Sequence, residues 1–144
     1  MSLPKHYNRV TWFGRGPGES YRDKKEAAQF GLWKASLNQL QTNYEWPQEH
    51  GNQSDVHWAR FESEQDGLSL EARMETPFNF SLRKHSTADL DNAKHPHELT
   101  ELGEIVLNLD YVQYGLGSSS CGPPPFPQYQ LKANPFEFTT SLRI

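Results

Sequence analysis

Cysteine is almost missing from this chain. Cys121 stands alone among 144 residues, which excludes an internal disulfide framework and a zinc site built on cysteines. Basic excess is missing too: Lys+Arg 14 against Asp+Glu 18 leaves a net charge of -4 and a pI near 5.8. Nothing therefore draws the chain generally to nucleic acid or to an anionic membrane. No apolar run approaches the roughly 18 residues of a membrane span, and Lys5, His6 and Arg9 interrupt the apolar stretch a secretory leader needs. The expectation is no nucleic-acid partner, no membrane partner and, by default, a cytoplasmic location. Hydrophobic residues are also scarce, at 35% with a mean hydropathy of -0.84, yet aromatics reach 12%. Disordered chains are aromatic-poor, so a globular core resting on a few large rings is expected. The length suits one domain. Met1-Ser2-Leu3 before Pro4 reads as an expression remnant, so residues 1–9 are assigned as remnant or linker and residues 10–144 as the domain.

Two-residue alternation is the dominant pattern. Leu68, Leu70, Ala72 and Met74 share one face, as do Phe78, Phe80 and Leu82, with Pro77 predicting a break or edge position between the two runs. Ile105, Leu107, Leu109 and Tyr111 form another face, and Phe136, Phe138, Thr140, Leu142 and Ile144 a fourth. Val10 to Phe13 and Val56 to Phe61 are shorter candidates. Half-buried alternating strands belong to antiparallel sheets, so the chain reads as all-β. Two short helices are predicted, one opened by Ser20 and Asp23 and ending near Gly31, the other opened by Ser86 and Asp89. Tyr114 to Gln128 mixes three glycines with four prolines, a stiff irregular loop of the kind that lines binding sites.

Chemistry is harder to read. His95-Pro96-His97 lacks a third ligand at a recognised spacing, so no metal site is assigned. No base flanks Cys121, whose neighbours are Ser120 and Gly122, and a nucleophilic role is disfavoured. Gly14-Arg15-Gly16-Pro17-Gly18 lacks the Lys-Ser/Thr pair of a phosphate loop. Glycoside hydrolysis needs two paired carboxyl groups. Glu49, Asp55, Glu98, Glu104 and Asp110 are available, but their spacing does not pair them. Trp12, Trp33, Trp46 and Trp58 fit either core positions or sugar-stacking faces. Residue chemistry alone thus stops at an all-β module with a loop suited to a sugar or a peptide.

Four segments in fixed order go further: GRGPGESYRDK from Gly14, PQEHGNQSDVHW from Pro47, LDNAKHPHEL from Leu90, and NLDYVQYGLGSSSCGP from Asn108. Together they resemble the C-terminal end of multidomain β-galactosidases of glycoside hydrolase family 2, from about Val10 to Ile144. The resemblance implies an antiparallel β-sandwich, the second half of a galactose-mutarotase-like supersandwich related to the small chain. It places the two catalytic glutamates on a separate barrel that no segment here resembles, so no catalytic residue is expected in this chain. No cofactor is expected in it either, since the family's Mg2+ and Na+ are held largely by other domains.

One site contribution carries over. In the family, the loop matching Gly115 to Pro123 reaches toward the sugar, presenting tryptophan in the enteric type and cysteine in other branches. Cys121 occupies that position, with Ser119 and Ser120 as adjacent polar candidates for substrate binding. The implied partners are a β-galactoside and the remaining domains of the same enzyme. A severed sandwich exposes apolar surface and unpaired strand edges, so self-association is also expected. Two other readings stay open: an autonomous carbohydrate-binding module using exposed aromatics, and a mutarotase-like epimerase, which would need His57 or His85 beside an acid in one cleft.

Overall fold

A computed structural model describes residues 1–117 and 121–144. Seven strands form one antiparallel sheet: β1 (Ser2–Pro4), β2 (Arg9–Gly16), β3 (Gln29–Ser36), β4 (Gln53–Glu62), β5 (Ser69–Arg83), β6 (Glu104–Asp110) and β7 (Thr140–Arg143). Their order is β1-β6-β5-β4-β2-β3, with β7 added beside the first half of β5. The fold is therefore all-β, and its helical content is short: α1 (Thr87–Asn92) and single 3-10 turns such as Lys25–Ala27 and Leu37–Leu40.

The sheet is folded over rather than flat. Phe61 on β4 pairs with Leu70 near the start of β5, while Phe80 lies near the end of β5 opposite Gln53. On a flat sheet that offset would separate the two phenylalanines by roughly 30 Å. Their ring centroids are instead 5.5 Å apart, edge to face, and Phe80 meets Trp12 at 5.8 Å in the same manner. Only a sharp bend of β4 and β5 produces this, making two facing layers from one continuous ladder. The bend is built from irregular pairing in β4 between Gln53 and Val56 and again between Val56 and Trp58. Asp55 takes φ +53 there, a left-handed conformation that aspartate tolerates better than most residues. Each irregularity shifts the alternation, so that Val56, Ala59 and Phe61 all still point inward.

Expectations change at Pro77 and after Ser20. Residues 69–83 form a single strand straight through Pro77. The proline is accommodated because it falls between ladders: β7 pairs up to Met74, β6 begins at Asn79, and β4 has no partner in register between Arg73 and Phe78. No paired strand among the described residues asks Pro77 for the N–H it lacks. The helix expected after Ser20 is reduced to the Lys25–Ala27 turn, and the chain then enters β3. The second helix forms as expected, with Ser86 Oγ accepting from the Asp89 amide at 3.0 Å.

The core comprises Val10, Trp12, Val56, Ala59, Phe61, Ala72, Phe78, Phe80, Leu82 and Leu107, all fully buried. Leu3 of β1 is buried against it, and Ser2–Pro4 pairs with Glu104–Val106. Gly14 is required by close approach: a Cβ there would sit 2.9 Å from the Val56 Cα. No helix among the described residues is long and apolar enough to cross a membrane.

Candidate functional site

Three connections meet at one end of the folded sheet. β2 leaves at Gly16, β4 enters at Gln53, and β6 leaves at Asp110, with Phe80 opposite Gln53 and Asn79 opposite Asp110. The segments between strands here are those that carry the Gly14, Pro47 and Asn108 motifs.

The first segment is fixed to the β4 entry by reciprocal hydrogen bonds. Ser20 N donates to Asn52 O and Asn52 Nδ2 donates to Ser20 O, both at 2.7 Å. Ser20 Oγ accepts from Ser54 N at 2.9 Å. In the orientation that satisfies its surroundings, the Gln53 amide nitrogen donates to the carbonyls of Arg15 and Gly18, each at 3.1 Å. Glu19 accepts from Lys24 Nζ, from the Tyr44 hydroxyl and from Gly51 N. Burial pushes the Glu19 carboxyl up, but these donors, together with the Thr42 side chain, outweigh it and hold the group below the usual glutamate range. The buried Tyr21 phenol is pushed far up, chiefly by burial, and stays protonated; its oxygen accepts from Asn52 N at 3.4 Å.

A second clamp rests on Asp55. Arg15 Nε donates to Asp55 Oδ2 at 2.6 Å, and Arg15 Nη1 donates to the carbonyls of Lys25 and Ala28 at 3.0 and 3.2 Å. Lys25 Nζ reaches the same carboxylate at 3.4 Å. Burial raises Asp55, but Arg15 and Lys25 more than compensate and keep it ionised below the ordinary aspartate value.

Against this rigid segment lies the Pro/Gly-rich loop. Gly117 N donates to Asp23 Oδ2 at 2.7 Å. Between the two runs of chain is an open cleft of about 480 Å³ lined by Arg22, Asp23, Lys25, Tyr114, Gly115, Pro125 and Tyr129. Its size falls within the range of about 300–1,000 Å³ usual for small-molecule sites. Farther along, a 3-10 turn at Pro127–Tyr129 and a 2.9 Å bond from Gln130 Nε2 to Pro125 O shape the loop's return. Cys121 is exposed, with a free thiol. Ser119 and Ser120, the other two expected substrate-binding residues, lie outside the described residues.

The acids singled out in the sequence are mostly engaged in structural contacts. Asp55 belongs to the Arg15 clamp, Glu98 accepts from Lys94 N at 2.8 Å, and Glu104 accepts from Ser2 Oγ at 2.7 Å. Glu49 is ion-paired with Arg83, whose side chain is only 1% exposed. Arg83 Nη2 also contacts Thr87 Oγ1 at 3.3 Å. Burial lifts Glu49 and Asp110 above their ordinary values although Arg83 faces both, and burial with the same cation lowers His50. This buried charge cluster was not apparent from sequence, because no local spacing links residues 49, 83 and 110.

His50 and His85 line one small cleft, while the other histidines lie apart from it. His57 packs on Phe13 and Phe30 at 5.6 Å, and His95 stacks on His97 at 5.5 Å. No group of three or more His, Cys, Asp or Glu side chains suited to a metal occurs among the described residues. His85 shares a cleft with Glu101, but its volume is about 130 Å³, well under that of an ordinary ligand pocket. Of the tryptophans, Trp12 is core, Trp58 lies beneath the Arg73 guanidinium at 5.8 Å, and Trp46 is exposed.

Comparison with known proteins adds the remaining observation. The family model described as beta galactosidase small chain matches residues 1–142. The chain is 40% identical over 140 residues to the beta-galactosidase of Kluyveromyces lactis, a match covering 97% of this chain and 13% of that protein. It is 41% identical over 154 residues to the beta-galactosidase of Arthrobacter sp. (strain B7), covering 100% of this chain and 14% of the relative. For the beta-galactosidase of Actinobacillus pleuropneumoniae the identity is 35% over 140 residues, with 97% and 13% covered. The chain thus spans only a small part of these relatives' length.

Proposed function

This chain belongs to the beta-galactosidase small chain family, and from that premise we propose that it serves as a non-catalytic, C-terminal part of a glycoside hydrolase family 2 β-galactosidase. The observation that carries the reading is the match along residues 1–142 to that family, while 97% of the chain accounts for just 13% of a curated β-galactosidase. The rest of such an enzyme supplies the acid/base and nucleophile that hydrolyse a terminal β-D-galactoside such as lactose with retention. It also supplies the Mg2+ and Na+ ligands. This chain buttresses that machinery and offers the Cys121 loop as a lip on the sugar cavity, with Ser119 and Ser120 as further contacts.

Three features support the lip. The loop starts from an anchored residue, Gly117. Its thiol-bearing residue is exposed rather than packed away. The neighbouring cleft offers two tyrosine rings and polar groups of the kind that suit a hydroxylated ligand. On the lip, a cysteine side chain gives a small, polarizable, largely apolar wall. The remaining domains of the enzyme are the chain's partners and a β-galactoside its ligand, in the cytoplasm. Alone, the piece self-associates through its uncovered edges.

The test is Cys121→Trp in the full-length enzyme. Adding a stacking ring is expected to change KM for lactose or the choice of galactosyl acceptor roughly three- to tenfold, with little change in melting temperature. Identical kinetics toward every galactoside and acceptor would overturn the assignment. The isolated chain is expected neither to cleave a chromogenic galactoside nor to bind galactose saturably.

A further inference from the structure

We infer that Asp23 is a positioning residue: its carboxylate anchors Gly117, the residue from which the loop that carries Cys121 departs. The kinetic consequence rests on the lip reading above; the anchoring does not.

Asp23 Oδ2 accepts from Gly117 N at 2.7 Å, joining the first motif to the last across 94 positions of sequence. An ionised acceptor makes such a bond stronger than a neutral one. Gly117 fits closely: a Cβ there would stand 3.3 Å from the same carboxylate oxygen. The anchor is rigid because its own segment is held from behind. Lys24 N donates to Tyr21 O at 3.0 Å, and Arg15 binds the carbonyls of Lys25 and Ala28 while paired to Asp55 of β4. A continuous set of polar contacts thus runs from the bend in β4, through Arg15 and the Lys25 turn, to Asp23 and the loop. Asp23 also lines the cleft with Tyr114 and Gly115, the two residues that lead into the anchored glycine.

Because Cys121 is the chain's only cysteine and is exposed, a nitroxide spin label attached to it reports loop motion directly. Asp23→Ala is expected to sharpen the label's spectrum through faster motion. Asp23→Asn, which keeps an acceptor oxygen, is expected to restore the slow component. Their melting temperatures should stay close to that of the unmutated chain, since the bond is exposed. In the full-length enzyme, Asp23→Ala should raise KM for lactose roughly three- to tenfold. The kcat for an aryl galactoside should change less than about twofold, and Asp23→Asn should reverse the KM effect. Label motion that is the same in Asp23→Ala and the parent overturns the anchor. Faster motion with unchanged kinetics upholds the anchor and overturns the lip.

Discussion

Replacing Arg83 with methionine should test the energetics of the folded sheet most directly. Arg83 is 1% exposed and ion-paired with Glu49, and burial raises the carboxyls of both Glu49 and Asp110 despite its charge. Arg83→Met keeps an apolar stem of similar length but removes the cation that both acids face. Removing one member of a buried pair typically costs about 3–5 kcal/mol, a large share of a domain stability of about 5–15 kcal/mol. For a chain of this size the melting temperature should fall by about 10–15 °C. The sign of the pH dependence follows from the raised carboxyls. An acid whose folded value lies above its unfolded value opposes folding once ionised, fully so above the folded value and not at all below the unfolded one. Without Arg83 that opposition grows at neutral pH and fades as acid protonates the pair. His50, lowered by burial and by the same cation, pushes the same way, since without Arg83 it charges more readily in acid and opposes folding less there. Urea denaturation at pH 7.5 and pH 5.0 therefore should show a larger loss at the higher pH. A loss under about 1 kcal/mol at pH 7.5, or one that does not shrink at pH 5.0, would refute the argument.

Gly14→Ala should destabilise the chain by about 1–3 kcal/mol, because the new methyl would meet the Val56 backbone at 2.9 Å; a melting temperature equal to the parent's would show that β4 can yield there. Glu19→Gln probes a carboxyl held below its ordinary value. Its stabilising share is complete above the unfolded value near 4.5 and is lost as pH falls through the lower folded value. The difference in urea stability between parent and Glu19→Gln should accordingly be widest at neutral pH and close in strong acid.

Alternation disclosed most strands because each has one wet face. Val10, Val56, Leu70, Phe80 and Leu107 all sit inward where the two-residue period puts them. β3 escaped for the opposite reason. It is an edge strand whose outer face carries Phe30 and Leu32, both exposed, so apolar residues fall on both faces and the period is blurred. The preceding Ser20 and Asp23 pattern looks like a helix start, yet Ser20 spends its hydroxyl on Ser54 and Asp23 its carboxylate on Gly117. The C-terminal run shortens to Thr140–Arg143, since Phe136 and Phe138 stack with Tyr111 at 5.4 and 5.7 Å and join no ladder. At the site, the motifs marked which segments matter but not how they touch. The Asp23–Gly117 and Glu49–Arg83 contacts join residues far apart in sequence, and such contacts leave no trace in local spacing.

The sharp turn-over of β4 and β5 has a mechanical corollary. Both layers are made of the same two strands, so no flexible tether exists about which one could swing away from the other. Parting them would mean tearing backbone ladders within β4 and β5, along with the Phe61–Phe80–Trp12 ring contacts between them. Hydrogen exchange should accordingly find the central amides of both layers opening together, as a single cooperative unit.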